Sequence, residues 1–225
     1  MNYPSVQVSN FFDNPNYILD CANSLEYYKS DGGYPGARTK SLIDIDSSLF
    51  AKINSKIIRL LYPDWNVYQK IQWNASTFFQ KINDGDVKFH LDNKEHPGKG
   101  WIHNDFPSKF TAIIYLSKEN DCGTIIYSKK DGFVWENNND NYKRSYYKKE
   151  KQNSKLYLNE LNKNLNQYDV ECTYNSSFNK LIGFDGATPH GAFFNMKPQQ
   201  ERITLISFIS YINVPYFPIP EMRRT

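Results

Sequence analysis

Trp101-Ile102-His103-Asn104-Asp105, followed by Phe110-Thr111-Ala112-Ile113-Ile114-Tyr115-Leu116-Ser117 and Gly123-Thr124-Ile125-Ile126-Tyr127, is the stretch on which the fold of this 225-residue chain turns. β-Branched and aromatic residues fill its pieces and turn residues separate them. The pattern predicts three strands, over 100–105, 110–117 and 123–127. Two more strands are predicted downstream, over 180–184 and 202–211. Upstream, residues 67–82 carry Tyr68, Ile71, Trp73, Phe78 and Phe79 and also read as strand. Residues 83–100 hold Gly, Asp, Asn and Pro and read as a long loop.

The N-terminal part has a different period. Asn14-Pro15 resembles a helix start, and Ile18, Leu19, Ala22, Leu25 and Tyr28 recur at helical spacing up to Gly32-Gly33. Leu49, Ile53, Ile57, Leu60 and Leu61 mark a second amphipathic helix, which Ser47 or Ser48 is placed to cap. Between them lies a turn-rich loop, Gly33-Tyr34-Pro35-Gly36-Ala37-Arg38-Thr39. Residues 129–180 are polar, with a solvated helix expected over 148–165 on a thin stripe of Leu156, Leu158, Leu161 and Leu165. The tail from Pro215 is expected to wrap the surface.

Helices followed by an interrupted run of strands predict an α+β chain with a jelly-roll or β-sandwich core. The expected organisation is one domain, 1–225. Residues 1–65 form helical support, 66–128 and 180–212 the jelly-roll core, and 129–179 an insertion placed to act as a lid.

Composition bounds the function only loosely. Hydrophobic content of 40% and 17 Tyr with 15 Phe are enough for a packed core, which excludes global disorder. A net charge of +3 lacks the excess expected of a dedicated nucleic-acid binder. The three cysteines, Cys21, Cys122 and Cys172, match no zinc spacing and are expected to be reduced thiols. Residues 1–12 show no basic region before an apolar run, and no window suits a membrane span. A cytoplasmic location without membrane association is the expectation.

Alternate side chains on a strand share a face, so His103 and Asp105 point the same way. His190, in Thr188-Pro189-His190-Gly191, supplies a third ligand from across a sandwich. Two imidazoles and a carboxylate on one face of an octahedron form the facial triad of non-haem Fe(II) oxygenases, with three positions left open. A short His-x-Asp is weak by itself, and His90-Leu91-Asp92 is a second copy. That copy sits among turn residues, whereas His103-x-Asp105 precedes a strongly patterned strand, so His103 and Asp105 rank first. His90, Asp92 and His96 are left as groups that could flank the site entrance.

Arg202 heads an otherwise apolar strand, Arg202-Ile203-Thr204-Leu205-Ile206-Ser207-Phe208, and shares a face with Thr204. A guanidinium fork and a hydroxyl suit the far carboxylate of a dicarboxylate such as 2-oxoglutarate. Tyr115 either adds a second hydroxyl there or is a satisfied core tyrosine.

These residues together resemble a known family. His103-x-Asp105, Tyr115-Leu116-Ser117, Gly123-Thr124, Gly183-Phe184, His190 and Arg202-x-Thr204, in that order, are similar to the 2-oxoglutarate/Fe(II)-dependent oxygenase superfamily. The prolyl-4-hydroxylase-like branch is the nearest in pattern. Tyr34-Pro35-Gly36-x-Arg38-Thr39 resembles uncharacterised bacterial and phage members. Cys122-Gly123 stands where the branch has Gly-Gly, Ser117 where it has Asn, and the segment 129–180 exceeds the usual linker. The resemblance implies a double-stranded β-helix, Fe(II) on His103, Asp105 and His190, and 2-oxoglutarate held by Arg202, Thr204 and Tyr115. Ascorbate is the implied reductant. The implied reaction is hydroxylation of a C–H bond while 2-oxoglutarate becomes succinate and carbon dioxide.

The expected substrate is an amino-acid residue, peptide or small molecule. Tyr34, Arg38 and Trp101 are candidate contacts, with a surface role for Arg38 left open. Nucleobase demethylation is the second reading. It rests on Lys143-Arg144-Ser145-Tyr146-Tyr147-Lys148-Lys149, whose cations and aromatics suit single strands but also suit a solvated helix face. The third reading is a non-catalytic jelly-roll binding protein.

Overall fold

The computed structural model describes residues 5–29, 33–62, 71–118, 122–132, 143–144 and 154–213. The elements in chain order are β1 (Ser5–Val8), α1 (Pro15–Ser24), β2 (Tyr28–Lys29), β3 (Ala37–Arg38), α2 (Leu42–Ile45), α3 (Ser47–Leu61) and β4 (Gln72–Asn83). They continue with a short α4 (Lys88–Leu91), β5 (Phe110–Tyr115), β6 (Cys122–Lys129), α5 (Ser154–Asn166), β7 (Tyr168–Asn175), β8 (Lys180–Asp185), β9 (His190–Phe194) and β10 (Glu201–Asn213).

All strand pairings are antiparallel. A seven-stranded sheet runs β1-β8-β5-β10-β4-β3-β2, and a three-stranded sheet runs β7-β6-β9. Period-two alternation gives the large sheet two buried faces. Ala112, Ile114, Leu181, Leu205 and Phe79 turn outward and pack against Ile18, Ile53, Ile57 and Ile58 of α1 and α3. Ile113, Tyr115, Ile182, Phe184 and Ile206 turn inward and meet Ile126 of the small sheet. A continuous run such as FTAIIY is buried at every position because helices cover one face and a second sheet the other. Each such aliphatic side chain contributes about 1.5–3 kcal/mol on burial.

The helices start close to where the sequence places them. The Asn14 side chain accepts from the Tyr17 amide, with Pro15 in the first turn. This helix stops at Ser24, so Leu25 and Tyr28 lie outside it. Leu25 is extended and still packs on the core, and Tyr28 enters β2. The cap of α3 is Asp46, one residue before the predicted serines, accepting from the Leu49 amide at 2.9 Å.

Three expectations need correction. The segment 100–105 is not a strand. Its pairing is reduced to one bridge, His103 with His190, because Asn164 of α5 takes both polar groups of Ile102 in place of a neighbouring strand. The loop containing Arg38 is partly strand, since Ala37 and Arg38 pair with Lys81 and Gln80. Gly36, at φ 73°, allows this approach: a Cβ there would strike the Lys81 carbonyl. In the polar segment, α5 is present but is no solvated stripe. Tyr157, Leu161 and Leu165 pack with Trp101, Ile102, Tyr127 and Tyr168, whereas Leu156 is exposed. β7 within the same segment is an edge of the small sheet. The tail from Pro215 lies outside the described residues. None of the three cysteines forms a disulfide, and no described helix is long and apolar enough to cross a membrane.

Candidate metal centre

The structure brings His103, Asp105 and His190 together, their ligand atoms all within 4.8 Å of one another. Backbone bonds set this geometry despite the missing strand. The His103 and His190 amides each donate to the other's carbonyl, and the Asp105 amide donates to Gly186. Alternate amides of 101–105 are thereby tied to the turn and strand that carry His190, which keeps His103 and Asp105 on one side.

The two imidazoles are oriented in the same way. Nδ1 of His103 lies 3.1 Å from the Trp101 carbonyl, and Nδ1 of His190 lies 2.9 Å from that of Thr188. A carbonyl only accepts, so each Nδ1 carries the proton and each Nε2 presents a lone pair. Nε2 of His103 is 3.7 Å from Oδ1 of Asp105, and Nε2 of His190 is 3.3 Å from Oδ2. Cis ligands on an octahedron with bonds of about 2.1 Å stand about 3 Å apart, so a small inward motion suits a first-row divalent cation. Thr111 donates its hydroxyl proton to Oδ2 of Asp105 at 2.7 Å, and the Phe184 ring packs on His190 at 4.5 Å.

Protonation suits a cation as well. Burial, then Lys143 and His190, push the His103 imidazole well below its ordinary value, so it is neutral. Burial alone would raise the Asp105 carboxyl, but its neighbours, the donating Thr111 hydroxyl among them, outweigh it and hold the group ionised, well below the usual carboxylate range.

The three groups border a cavity of about 610 Å³ that Arg202, Thr124, Arg38 and Tyr34 also line. Arg202 is buried, and its Nε has no hydrogen-bond partner; no carboxylate pairs with it among the described residues. Its guanidinium lies 5.6 Å from the Tyr115 ring centre and 5.8 Å from that of Phe194. Thr204 and Tyr115 are buried cross-strand partners beside it and do not line the cavity. The Tyr115 hydroxyl is 2.8 Å from Thr124 Oγ1. Thr124 faces the cavity; the sequence places it in the Gly123-Thr124 motif of the resemblance without giving it a role in the site.

Arg38 is not a surface group. It lines the cavity with Tyr34 3.8 Å beneath its guanidinium, and its Nε is sealed from solvent without a partner. Burial draws it down to about 10, against the attraction of Tyr34 and Asp105. Trp101 borders the cavity, but its ring is directed into the cluster under α5, 5.7 Å from Tyr157. The second His-x-Asp pair does not flank the site. His90 is buried on α4, between the Lys99 carbonyl and the Tyr157 hydroxyl, and His96 meets Asn166. Of the basic run 143–149, only Lys143 and Arg144 are described, and Lys143 lines the cavity; the rest lies outside the described residues.

The chain is similar in fold to several solved structures. HygX from Streptomyces hygroscopicus, solved with nickel, 2-oxoglutarate and hygromycin B, is 10% identical with a TM-score of 0.53, covering 92% of this chain and 82% of that one. SnoK, a non-heme alpha ketoglutarate dependent carbocyclase from nogalamycin biosynthesis, is 9% identical with a TM-score of 0.52, covering 97% and 84%. SnoN, a non-heme alpha ketoglutarate dependent epimerase from the same biosynthesis, is 12% identical with a TM-score of 0.50, covering 92% and 77%. At such identities the likeness is one of fold: this chain is folded like the 2-oxoglutarate/Fe(II) oxygenases. A search of curated proteins finds no match. The model of a family of unknown function, DUF6445, matches residues 2–209, and the chain belongs to that family.

Proposed function

We propose that the protein is an Fe(II)- and 2-oxoglutarate-dependent oxygenase with a double-stranded β-helix core, its iron held by His103, Asp105 and His190. One observation carries this: two imidazole Nε2 atoms freed by backbone carbonyls converge with one ionised carboxylate on a cavity that also holds a buried arginine without an acid. The donor set is that of a facial triad, and the guanidinium of Arg202, with its Nε unpartnered, suits the far carboxylate of 2-oxoglutarate. When bound, iron and 2-oxoglutarate supply the reduction of dioxygen, with release of succinate and carbon dioxide and oxygen insertion into a substrate C–H bond.

The chain's own residues orient and shield. Thr111 fixes one oxygen of Asp105, and the Trp101 and Thr188 carbonyls hold the imidazole protons away from the metal side. Tyr115 holds Thr124 beside Arg202, and Ile113, Phe194 and Ile206 line that part of the cavity. Such walls exclude water and strengthen the charge pairing within. The substrate read from this site is a small molecule or an amino-acid group carrying the C–H bond to be hydroxylated.

Purified protein given Fe(II), ascorbate and 2-oxoglutarate under air tests the proposal, with succinate as the readout. Slow succinate formation by the wild type, lost in His103→Ala and strongly reduced in Arg202→Ala, is expected. Equal succinate from wild type and His103→Ala would contradict the assignment.

A further inference from the structure

The cavity beside the metal centre holds a second arginine that the oxygenase chemistry leaves unused. Arg38 sits in β3, in register with Gln80 of β4, which is itself in register with Thr204 of β10. Arg202 is one rank further along and pairs with Ile82. With strands about 4.8 Å apart and a two-residue step of about 6.6 Å, the two arginine backbones are separated by about 12 Å. One dicarboxylate held at the iron and at Arg202 does not also occupy Arg38.

The surroundings of Arg38 hold its guanidinium in one plane. The Tyr34 ring lies 3.8 Å from it, and the Phe78 and Phe208 rings lie at 5.8 and 5.6 Å. Gln80 donates from Nε2 to the Pro35 carbonyl at 2.7 Å, which fixes its amide, and its Oε1 lies 3.4 Å from Nη2 of Arg38. Nε, shielded from solvent, has no acceptor. No carboxylate pairs with Arg38 among the described residues. A planar donor fork that lines the cavity and is held by aromatic faces matches a carboxylate.

Charge points the same way. Asp105 is the one acid among the described residues that line the cavity, against Arg38, Arg202 and Lys143. Once Asp105 serves iron and 2-oxoglutarate serves Arg202, no acid among the described cavity-lining residues is left for the half-buried Arg38, an arrangement that is costly unless a ligand completes it.

We infer that Arg38 anchors a carboxylate of the substrate, so the substrate is a small organic acid whose apolar body lies on Phe78, Phe208 and Tyr34. This rests on the oxygenase proposal, because the pairing of Arg202 with 2-oxoglutarate is what leaves Arg38 for another ligand. A cavity of about 610 Å³ suits a molecule of that size.

Isothermal titration under anaerobic conditions tests it, with protein loaded with Fe(II) and excess 2-oxoglutarate, and 3-phenylpropionate and 3-phenylpropionamide as paired probes. The wild type is expected to bind the acid at least about tenfold more tightly than the amide. Arg38→Met is expected to bind the two alike, and Arg38→Lys to recover part of the preference. Equal binding of acid and amide by the wild type, a preference that survives in Arg38→Met, or binding of neither probe would each overturn the inference. Should Arg38→Met not fold, Arg38→Gln gives the same comparison. The visible charge-transfer band of the Fe(II)–2-oxoglutarate complex separates the two levels. A band without acid preference overturns the role of Arg38 alone. Its absence overturns the oxygenase proposal, and this inference with it.

Discussion

His103 and His190 face each other as an isolated antiparallel pair, each backbone amide donating to the other's carbonyl at 2.9 and 2.8 Å. Their rings follow at a centroid distance of 4.5 Å. Each ring is turned by the carbonyl two residues before it. Two ligands 87 positions apart in sequence are thus set by main-chain bonds, so the metal side is preformed. What remains adjustable is the carboxylate of Asp105, and Thr111 holds that.

Thr111→Val removes the hydroxyl that donates to Asp105 and keeps the shape of the side chain. Partners of metal ligands typically matter by 10–100-fold in affinity. Fe(II) is expected to bind Thr111→Val about tenfold more weakly, with thermal stability close to wild type. Anaerobic calorimetric titration checks this, and unchanged affinity would remove Thr111 from the centre.

Asn164→Ala strips Ile102 of both its polar partners, at 2.8 and 3.1 Å, in a buried setting. Leaving an amide and a carbonyl unpaired costs on the order of 2–4 kcal/mol. The segment bearing His103 and Asp105 is then held less firmly, so metal affinity should fall along with stability. Urea unfolding with and without metal reads both; a loss below about 0.5 kcal/mol would place Ile102 in contact with water.

His90 predicts an acid sensitivity that does not involve the metal ligands. It is fully buried, its Nδ1 donates to the Lys99 carbonyl, and its Nε2 accepts from the Tyr157 hydroxyl, which requires the neutral ring. Burial lowers it from 6.5 to about 4. The unfolded chain therefore binds the proton more readily, and this contribution is complete above about pH 6.5 and lost as pH falls towards 4. Between pH 7 and 5 the loss is about 2 kcal/mol. Urea midpoints of wild type and His90→Gln across that interval should converge as pH falls; parallel curves would count against it.

Gly183→Ala probes the packing that carries the site. Gly183 lies in β8, and a Cβ there would strike the Phe110 ring from the adjacent β5. Overpacking of this kind costs about 1–3 kcal/mol. A thermal midpoint unchanged from wild type would mean that the ring yields freely.

Much of the site was legible because its chemistry is local in sequence. His103-x-Asp105 precedes a run of buried strand residues, and Arg202 interrupts an apolar strand, so residue type against pattern singled them out. The strand assigned to 100–105 was misleading in form but correct in consequence, since alternate backbone bonds orient the two ligands without a continuous ladder. Asn164 left no sequence signal, being one asparagine in a segment rich in them, and its role depends on where α5 docks. Tyr157 likewise broke the leucine stripe expected for that helix, because an aromatic facing Trp101 carries the packing. The cage around Arg38 was hidden for a similar reason. Phe78, Gln80 and Phe208 reach it only through the register of β3, β4 and β10.

The central claim is that His103, Asp105, His190 and Arg202 hold iron and 2-oxoglutarate together. The most direct measurement is anaerobic addition of Fe(II) and then 2-oxoglutarate, followed by visible absorption. A weak metal-to-ligand charge-transfer band that saturates with 2-oxoglutarate in the wild type, and is lost in His103→Ala, is the predicted result. No band in a folded, iron-loaded wild type would contradict the claim.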